Sequence, residues 1–524
     1  MTPEPTSGSI AAGAPVQPLY DPQRLAALAT AAAPRAAAQP GPADYAIATV
    51  LCLAIVAAFM AHSREVAHWF LMPLMCCGIL VGSDAVRWLR GAYDTFDPKG
   101  LVGLLGLHFF FVAPLLFVSL GGVMVEKNAP SEFRPWMGLM GGLNAAGLVL
   151  YKLAERRAAR GTKVYRTIWA AEPGRTTMRL GAAVAVSVVC ALALFVVFGG
   201  FRGLAQAATE EAATFAGWGI PRIIAYALPL LLLIFITAHR QQKRLPRAGL
   251  ILVALVLGAV FAAQFFVVGG TTSRGATMTS VVWALLVVHY MWGRINRRML
   301  IYLMLPGLMF LWLMSIYKYY GLRLQEYVST GSTIAELSDK SNRTFAGMLI
   351  GDLSRTDVHA SLAHARRAAP YDAQLRYGMT YPAGVFPMIP RWIWFDRPAD
   401  SGKVVAGTDW QHGRGYYRPY TTLRSSRAYG IGGEALINFG FLGVPLAYGV
   451  LGWLIGRHRR SLRALHPGDF RAVWLAYWTY FLVNMLLWDS DNYIAHTVMR
   501  AVIPLAVLYV ATVRRPAPPV PLQA

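Results

Sequence analysis

Apolar stretches of about twenty residues recur along the whole chain, separated by short polar segments. A helix needs ~20 residues to cross the ~30 Å hydrocarbon core of a bilayer. Twelve runs suit that task, near residues 44–62, 66–87, 101–123, 136–153, 178–200, 220–238, 248–268, 277–293, 299–320, 429–456, 472–488 and 496–513, of which the eighth is short. No internal repeat is apparent. The pattern predicts an all-α polytopic membrane protein. Nine transmembrane helices fall within 43–320, a long connection covers 321–428, and three more helices fall within 429–515. Residues 1–42, rich in Ala, Pro and Gly, read as a disordered tail, and 516–524 as a second, short tail. The first residues do not read as a cleavable signal peptide.

The polar connections alternate in charge. "KLAERRAARGTKVYRT", "HRQQKRLPR", "GRINRR", "RHRRSLRALHPGDFR" and the last "RR" follow the even-numbered runs and are basic, whereas "GFRGLAQAATEEAATFAGWG" is nearly neutral. Short basic loops stay in the cytoplasm. Both termini are therefore expected inside, and 321–428 outside; a loop that long is exempt from the charge rule. Composition agrees, with 56% hydrophobic and only 14% charged residues, against about 25% charged in a soluble domain. The net charge of +23 then reflects topology and lipid contact, and no nucleic-acid partner is expected. Cys52, Cys76, Cys77 and Cys190 all lie in apolar runs, as helix-packing residues do.

Long connections usually carry function. This one is net basic and contains Arg343, Arg376, Arg391, Lys403, Arg424 and Arg427 among others. "SRTDVHASLAHARR" predicts a short helix capped by Ser354 or Thr356. "YPAGVFPMIPRWIW" is interrupted by three prolines and reads as non-helical, with Phe386, Trp392, Trp394 and Phe395 suited to the membrane interface. Guanidinium groups held at headgroup depth match phosphate or pyrophosphate oxygens. Pairing with headgroups or with loop aspartates is the alternative. Arg391, locked between Pro390 and Trp392, has the backbone setting that favours binding.

The tenth run opens with "YGIGGEALINFGFLG", where Glu434 and Asn438 share a helical face about one turn inside the expected span. Ionisable groups inside spans often mark a site, and a helix N-terminus favours an anion. The last hairpin, "LLWDSDNYIAHTVMR", brings Asp489 and Asp491 to an outer turn, with His496 and Arg500 on one face beyond it. Arg500 is deep enough to need a partner, either a substrate or a carboxylate such as Asp489, Asp491 or Glu434. Asp84, His108 and His289 read as satisfied packing residues nearer the inside. The chain carries no P-loop, dinucleotide fingerprint or HExxH, so ATP-driven transport and dehydrogenase chemistry are not expected.

Two segments, "YGMTYPAGVFPMIPRWIWFDRPADSGK" and "YGIGGEALINFGFLGVPLAYGVLGWLIG", resemble the oligosaccharide repeat-unit polymerases (Wzy-type, O-antigen polymerase-like). The likeness covers about 377–456 and the layout of many spans around one large outer loop, with Arg397 where lysine is commoner. It implies a GT-C-like glycosyltransferase bundle in the bacterial inner membrane. Such an enzyme joins glycan units carried on undecaprenyl pyrophosphate on the periplasmic face, with no cofactor and no metal. A chain-length regulator and a flippase are the implied protein partners. The implied roles are stabilisation of the leaving pyrophosphate by Arg391 and Arg424, with Arg343, Arg427 and Lys403 behind them. Glu434 is the implied base and His412, in "TDWQHGRGYYRPY", the alternative. Arg376, Asn438 and Arg500 complete the expected substrate-binding set. An O-antigen ligase, a lipid-linked oligosaccharide flippase and a non-catalytic scaffold remain the competing expectations.

Overall fold

The computed structural model describes residues 39–120, 133–200, 203–204, 218–242, 247–264, 274–320, 323–341, 344–345, 375–383, 385, 389, 393–396 and 429–517. Residues 1–38 of the expected first tail (1–42), 518–524 of the expected second tail (516–524) and most of the long connection, including the predicted helix after Ser354, lie outside these residues. The described chain is mostly helical. Eight of its helices are long and apolar enough to cross a membrane, and Met278–Trp292 is a shorter apolar one.

The first half is an up-and-down bundle. Helices α1 (Pro42–His62), α2 (Leu71–Leu89), α3 (Pro98–Ser119) and α4 (Arg134–Ala158) follow in turn. Helix α1 opens with Pro42 in its first turn, where the missing N–H loses no bond. Asp97 caps α3 by accepting from Lys99 N at 2.9 Å, with Pro98 at its first position. After strand β1 (Thr167–Ala170) come α5 (Arg175–Val197), α6 (Gly219–Arg240), α7 (Arg247–Gln264), α8 (Arg274–Val287, continued by a π turn over Val288–Trp292) and α9 (Arg297–Tyr320). Short helices α10 (Arg323–Ser329), α11 (Ile334–Lys340) and α12 (Thr380–Ala383) belong to the long connection. A capping box between Thr333 and Glu336 starts α11.

Two runs expected as single spans are broken. The run 429–456 splits into α13 (Gly430–Phe439) and α14 (Gly443–Arg463) at Gly440, whose φ of 70° is left-handed. Helix α13 folds back on α14: Gly432 faces Tyr448, and Gly443 faces Ala435 and Phe439. The run 472–488 is helical only over α15 (Arg471–Asn484), about 21 Å at 1.5 Å per residue, too short for a ~30 Å core. Non-helical residues 485–489 follow, then α16 (Ser490–His496), a π turn (Thr497–Ala501) and α17 (Val502–Ala511). A short ribbon stands beside the helices. Strand β2 (Val513–Pro516) pairs antiparallel with β1, Ile168 opposite Arg515. Apolar periodicity carries no signal for so short and basic a strand.

Glycine sets the tightest packing. Helices α4 and α14 run in the same direction, because Gly147 meets Tyr448, Gly452 meets the Tyr151 carbonyl and Gly456 meets the Glu155 carbonyl. Small residues let two backbones approach where lipid gives no hydrophobic drive between helices. Helix α15 separates two apolar clusters. Leu482 on α15 and Leu486 just beyond it pack with Tyr448 and Leu451, while Val473, Ala476 and Tyr480 pack with Trp283 and Leu505. Cys52 and Cys77 are buried, and the Cys77 thiol donates to the Gly141 carbonyl at 3.3 Å.

The helix ends sort by direction. Asp44 in the first turn of α1 pairs with Arg87 and Arg90 at the end of α2. Thr176 at the start of α5 bonds the Ala511 carbonyl at the end of α17. Lys99, Glu155 and Arg459 join the start of α3 to the ends of α4 and α14. These contacts gather at the end of the bundle that carries the basic connections. They place the starts of α1, α3 and α5 beside the ends of α2, α4, α14 and α17.

Candidate functional site

The breaks in the last helices meet at one place. Tyr429 N donates to Asp489 Oδ1 at 2.7 Å, and Ile431 N donates to the Met485 carbonyl at 3.1 Å. Gly430 lies between them with φ 66°, and a Cβ there would collide with the Leu486 carbonyl. Only glycine fits both the conformation and the space. Thus the first turn of α13 supplies the donors that the non-helical 485–489 segment needs. Non-helical backbone at membrane depth is tolerated only when protein or a wet cavity covers it.

Glu434 fastens the next layer. It is 2% exposed. Its Oε1 accepts from Thr380 Oγ1 at 2.7 Å and from Ser490 Oγ at 2.5 Å, and its Oε2 accepts from Ser490 N at 2.8 Å. Ser490 opens α16, so the carboxylate sits on a helix N-terminus, where a negative charge is stabilised by the backbone dipoles. Glu434, expected about one turn inside a single long span, lies on the short helix α13. Its carboxylate points into a junction of three segments, against Thr380 and the half-buried Ser490.

Asn438, one turn on, holds the returning connection. Its Nδ2 donates to Thr380 Oγ1 at 2.7 Å and to the Glu434 carbonyl at 2.9 Å, and its Oδ1 accepts from Gly378 N at 3.0 Å. Arg376 N and Tyr377 N donate to the carbonyls of Ile437 and Asn438. The Asn438 amide, expected to bind substrate, is thereby committed to the chain itself. Tyr377 is left-handed (φ 47°) and largely exposed, beside Gly378 at φ 87°. A non-glycine residue in that region carries local strain, which tends to be found at functional segments.

Of the remaining expected site residues, Arg376 reaches this junction through its backbone. Arg500 lies on the π turn, buried, with Nη1 donating to Ser280 Oγ at 3.4 Å. His496 stacks on Trp488 with ring centroids 4.4 Å apart. Arg343, Arg391, Lys403, His412, Arg424 and Arg427 lie outside the described residues. Within the interfacial segment, Ile393, Trp394 and Phe395 are exposed. Thr380 and Ser490, absent from the expected set, are central to the junction. Asp489 followed by a polar helix start is an N-cap pattern that the sequence does display, but nothing local ties Thr380 to Glu434.

The expected packing residues are satisfied. Asp84 accepts from Tyr93 and Lys152 and lies 3.8 Å from Lys99. Burial, with Asp84 beside it, pushes the Tyr93 phenol far above its usual range, so it stays a donor. His289 Nδ1 accepts from Ile295 N, which leaves the proton on Nε2 to bond Asp94 Oδ1 at 2.7 Å.

Comparison of the chain with models of known families, with curated proteins and with solved structures gave no match.

Proposed function

We propose that the chain is a membrane glycosyltransferase that polymerises lipid-pyrophosphate-linked oligosaccharide repeat units on the outer face of a bacterial inner membrane. One observation carries this reading. The two segments that resemble the repeat-unit polymerases are far apart in sequence, yet they form one hydrogen-bonded unit. Residues 377–380 of the first lie on Glu434 and Asn438 of the second. Chemistry built on both segments requires such a junction.

In this reading an acceptor hydroxyl attacks the anomeric carbon of the donor. The carbon–oxygen bond to the lipid pyrophosphate breaks, and the pyrophosphate leaves with the electron pair. Arg391 and Arg424 meet the developing charge, assisted by Arg343, Arg427 and Lys403, because oriented donors contribute most where charge appears. The acceptor proton reaches Glu434 through Ser490, which gives its own proton to Oε1, 2.5 Å away, and takes the acceptor's. His412 is the alternative base. The energy resides in the donor's phosphate linkage, so no nucleotide enters.

A second reading has its own support. Broken helices at membrane depth also build the binding sites of transporters, and a lipid-linked oligosaccharide flippase would use them. Glycan length in a host lacking this protein tests both readings. Wild type is expected to restore a ladder of repeat units, and Arg391→Ala at equal membrane level is expected to leave single units. A ladder unchanged by Arg391→Ala removes that residue from the site. Failure of wild type to make any ladder, with altered export of glycan, favours the flippase.

A further inference from the structure

Helices α4 and α14, packed through glycine, carry arginines to the same level. Gly456 meets the Glu155 carbonyl, which sets Arg157 and Arg457 at one height. Both arginines are exposed. Arg460 donates to the Arg160 carbonyl at 3.3 Å, and Arg463 donates to the Ala159 carbonyl at 2.6 Å, so cations of α14 reach across onto the end of α4. Residues 150–166 and 443–466 together hold one carboxylate, Glu155, which is buried on Lys99 and Arg459.

The same side of this seam is apolar before it reaches the arginines. Leu150 lies seven residues before Arg157, on one face of α4, and Leu446, Val450 and Trp453 lead to Arg457 on one face of α14. Gly449 stands in the α14 row, and a Cβ there would lie 3.8 Å from Leu150 Cβ, so the two faces adjoin. Leu150, Leu446, Val450 and Trp453 are all exposed. The Arg457 guanidinium lies 4.8 Å from the Trp453 ring centroid. Tryptophan suits the level where acyl chains give way to headgroups, and an arginine stacked on it is held at that level. From Leu446 to Arg457 the row is ~16 Å long at 1.5 Å per residue, close to half of a ~30 Å hydrocarbon core. The seam is thus an apolar track one leaflet long that ends in guanidinium groups, the complement of an acyl chain bearing a phosphate. A second copy of the chain is a poor complement. Copies in one membrane share an orientation, so arginines would meet arginines at this level.

We propose that the seam of α4 and α14 binds an anionic glycerophospholipid, with an acyl chain along Leu150, Leu446 and Trp453 and the phosphate on Arg157 and Arg457. The site does not depend on the glycosyltransferase reading.

The test follows thermal unfolding of the full-length protein in a neutral detergent with added phosphatidylglycerol or phosphatidylcholine. A ligand that binds only the folded state raises the melting temperature. Phosphatidylglycerol is expected to raise it more than phosphatidylcholine does at equal concentration. Arg157→Gln with Arg457→Gln is expected to weaken phosphatidylglycerol binding about tenfold or more, as loss of a charged hydrogen bond does, and so to remove that excess. Arg457→Lys, which keeps the charge but loses the planar stack on Trp453, is expected to retain part of it. Arg514→Gln with Arg515→Gln removes the same charge from the exposed strand β2 and is expected to leave the excess intact. All these side chains are exposed, so the variants are expected to fold as wild type does. Equal shifts from the two lipids overturn the site. Equal losses in the two double variants also overturn it and assign the preference to diffuse surface charge. A dimer by light scattering that does not respond to phosphatidylglycerol overturns it in favour of a second copy on this face.

Discussion

Glu434 has two possible duties that a pair of substitutions separates. As a clasp it satisfies two hydroxyls and the first N–H of α16. Glu434→Ala leaves those donors buried without an acceptor and is expected to cost on the order of 3 kcal/mol, since each unmet buried group costs about 1–3. Glu434→Gln keeps an acceptor for Ser490 N and lets the hydroxyls turn, so about 1 kcal/mol is expected. Thermal unfolding in detergent measures both. If Glu434 also takes a proton, Glu434→Gln abolishes the glycan ladder while the protein stays folded. A normal ladder from Glu434→Gln restricts the residue to the clasp. The acidic, polar character of this position was legible in the sequence, because a carboxylate inside an apolar run requires partners. Those partners were not, since Thr380 and Ser490 lie 54 and 56 residues away.

Helix breaks and helix contacts depend on individual glycines. Gly430→Ala would put a Cβ against the Leu486 carbonyl at a positive φ, and Gly452→Ala would put one against the Tyr151 carbonyl. Neither backbone can yield without moving a helix. Both variants are expected to melt several degrees below wild type, for a loss of about 2 kcal/mol or more. Gly142→Ala is the comparison, because nothing lies within 4 Å of its Cβ position. It is expected to melt at or slightly above the wild-type temperature, as alanine favours the helix by ~1 kcal/mol. Equal melting of Gly452→Ala and Gly142→Ala would show that α4 and α14 are not closely packed. Apolar periodicity alone predicted one helix across 429–456, since every residue of it is compatible with burial. Gly440 ends α13 because the chain has a better use for these residues folded back on α14.

Across the molecule, a charge-balanced network closes the basic end. Lys99, Lys152 and Arg459 face Asp84, Asp97 and Glu155, three cations for three carboxylates drawn from four helices and the residue that caps α3. Lys99 is fully buried, 2.7 Å from Glu155 Oε2. Removing one partner strands a charge, so Lys99→Met is expected to destabilise by about 3–5 kcal/mol. Adding Glu155→Gln restores the balance, with Arg459 kept on Asp97 and Lys152 on Asp84. The double variant is therefore expected to be more stable than Lys99→Met alone. Additive losses in that cycle would show that the two side chains do not interact.

Local chemistry specified the long apolar helices and most helix positions, because apolar run length acts within a few residues. The helix-end contacts bring the starts of α1, α3 and α5 beside the ends of α2, α4, α14 and α17. Two things came only from the folded chain: the hairpin of α13 on α14, and the Glu434 junction with Thr380 and Ser490. Each depends on pairing groups from distant segments inside the bundle, where an unpaired polar group is expensive. That pairing is chosen by the assembled helices, and no window of neighbouring residues contains it.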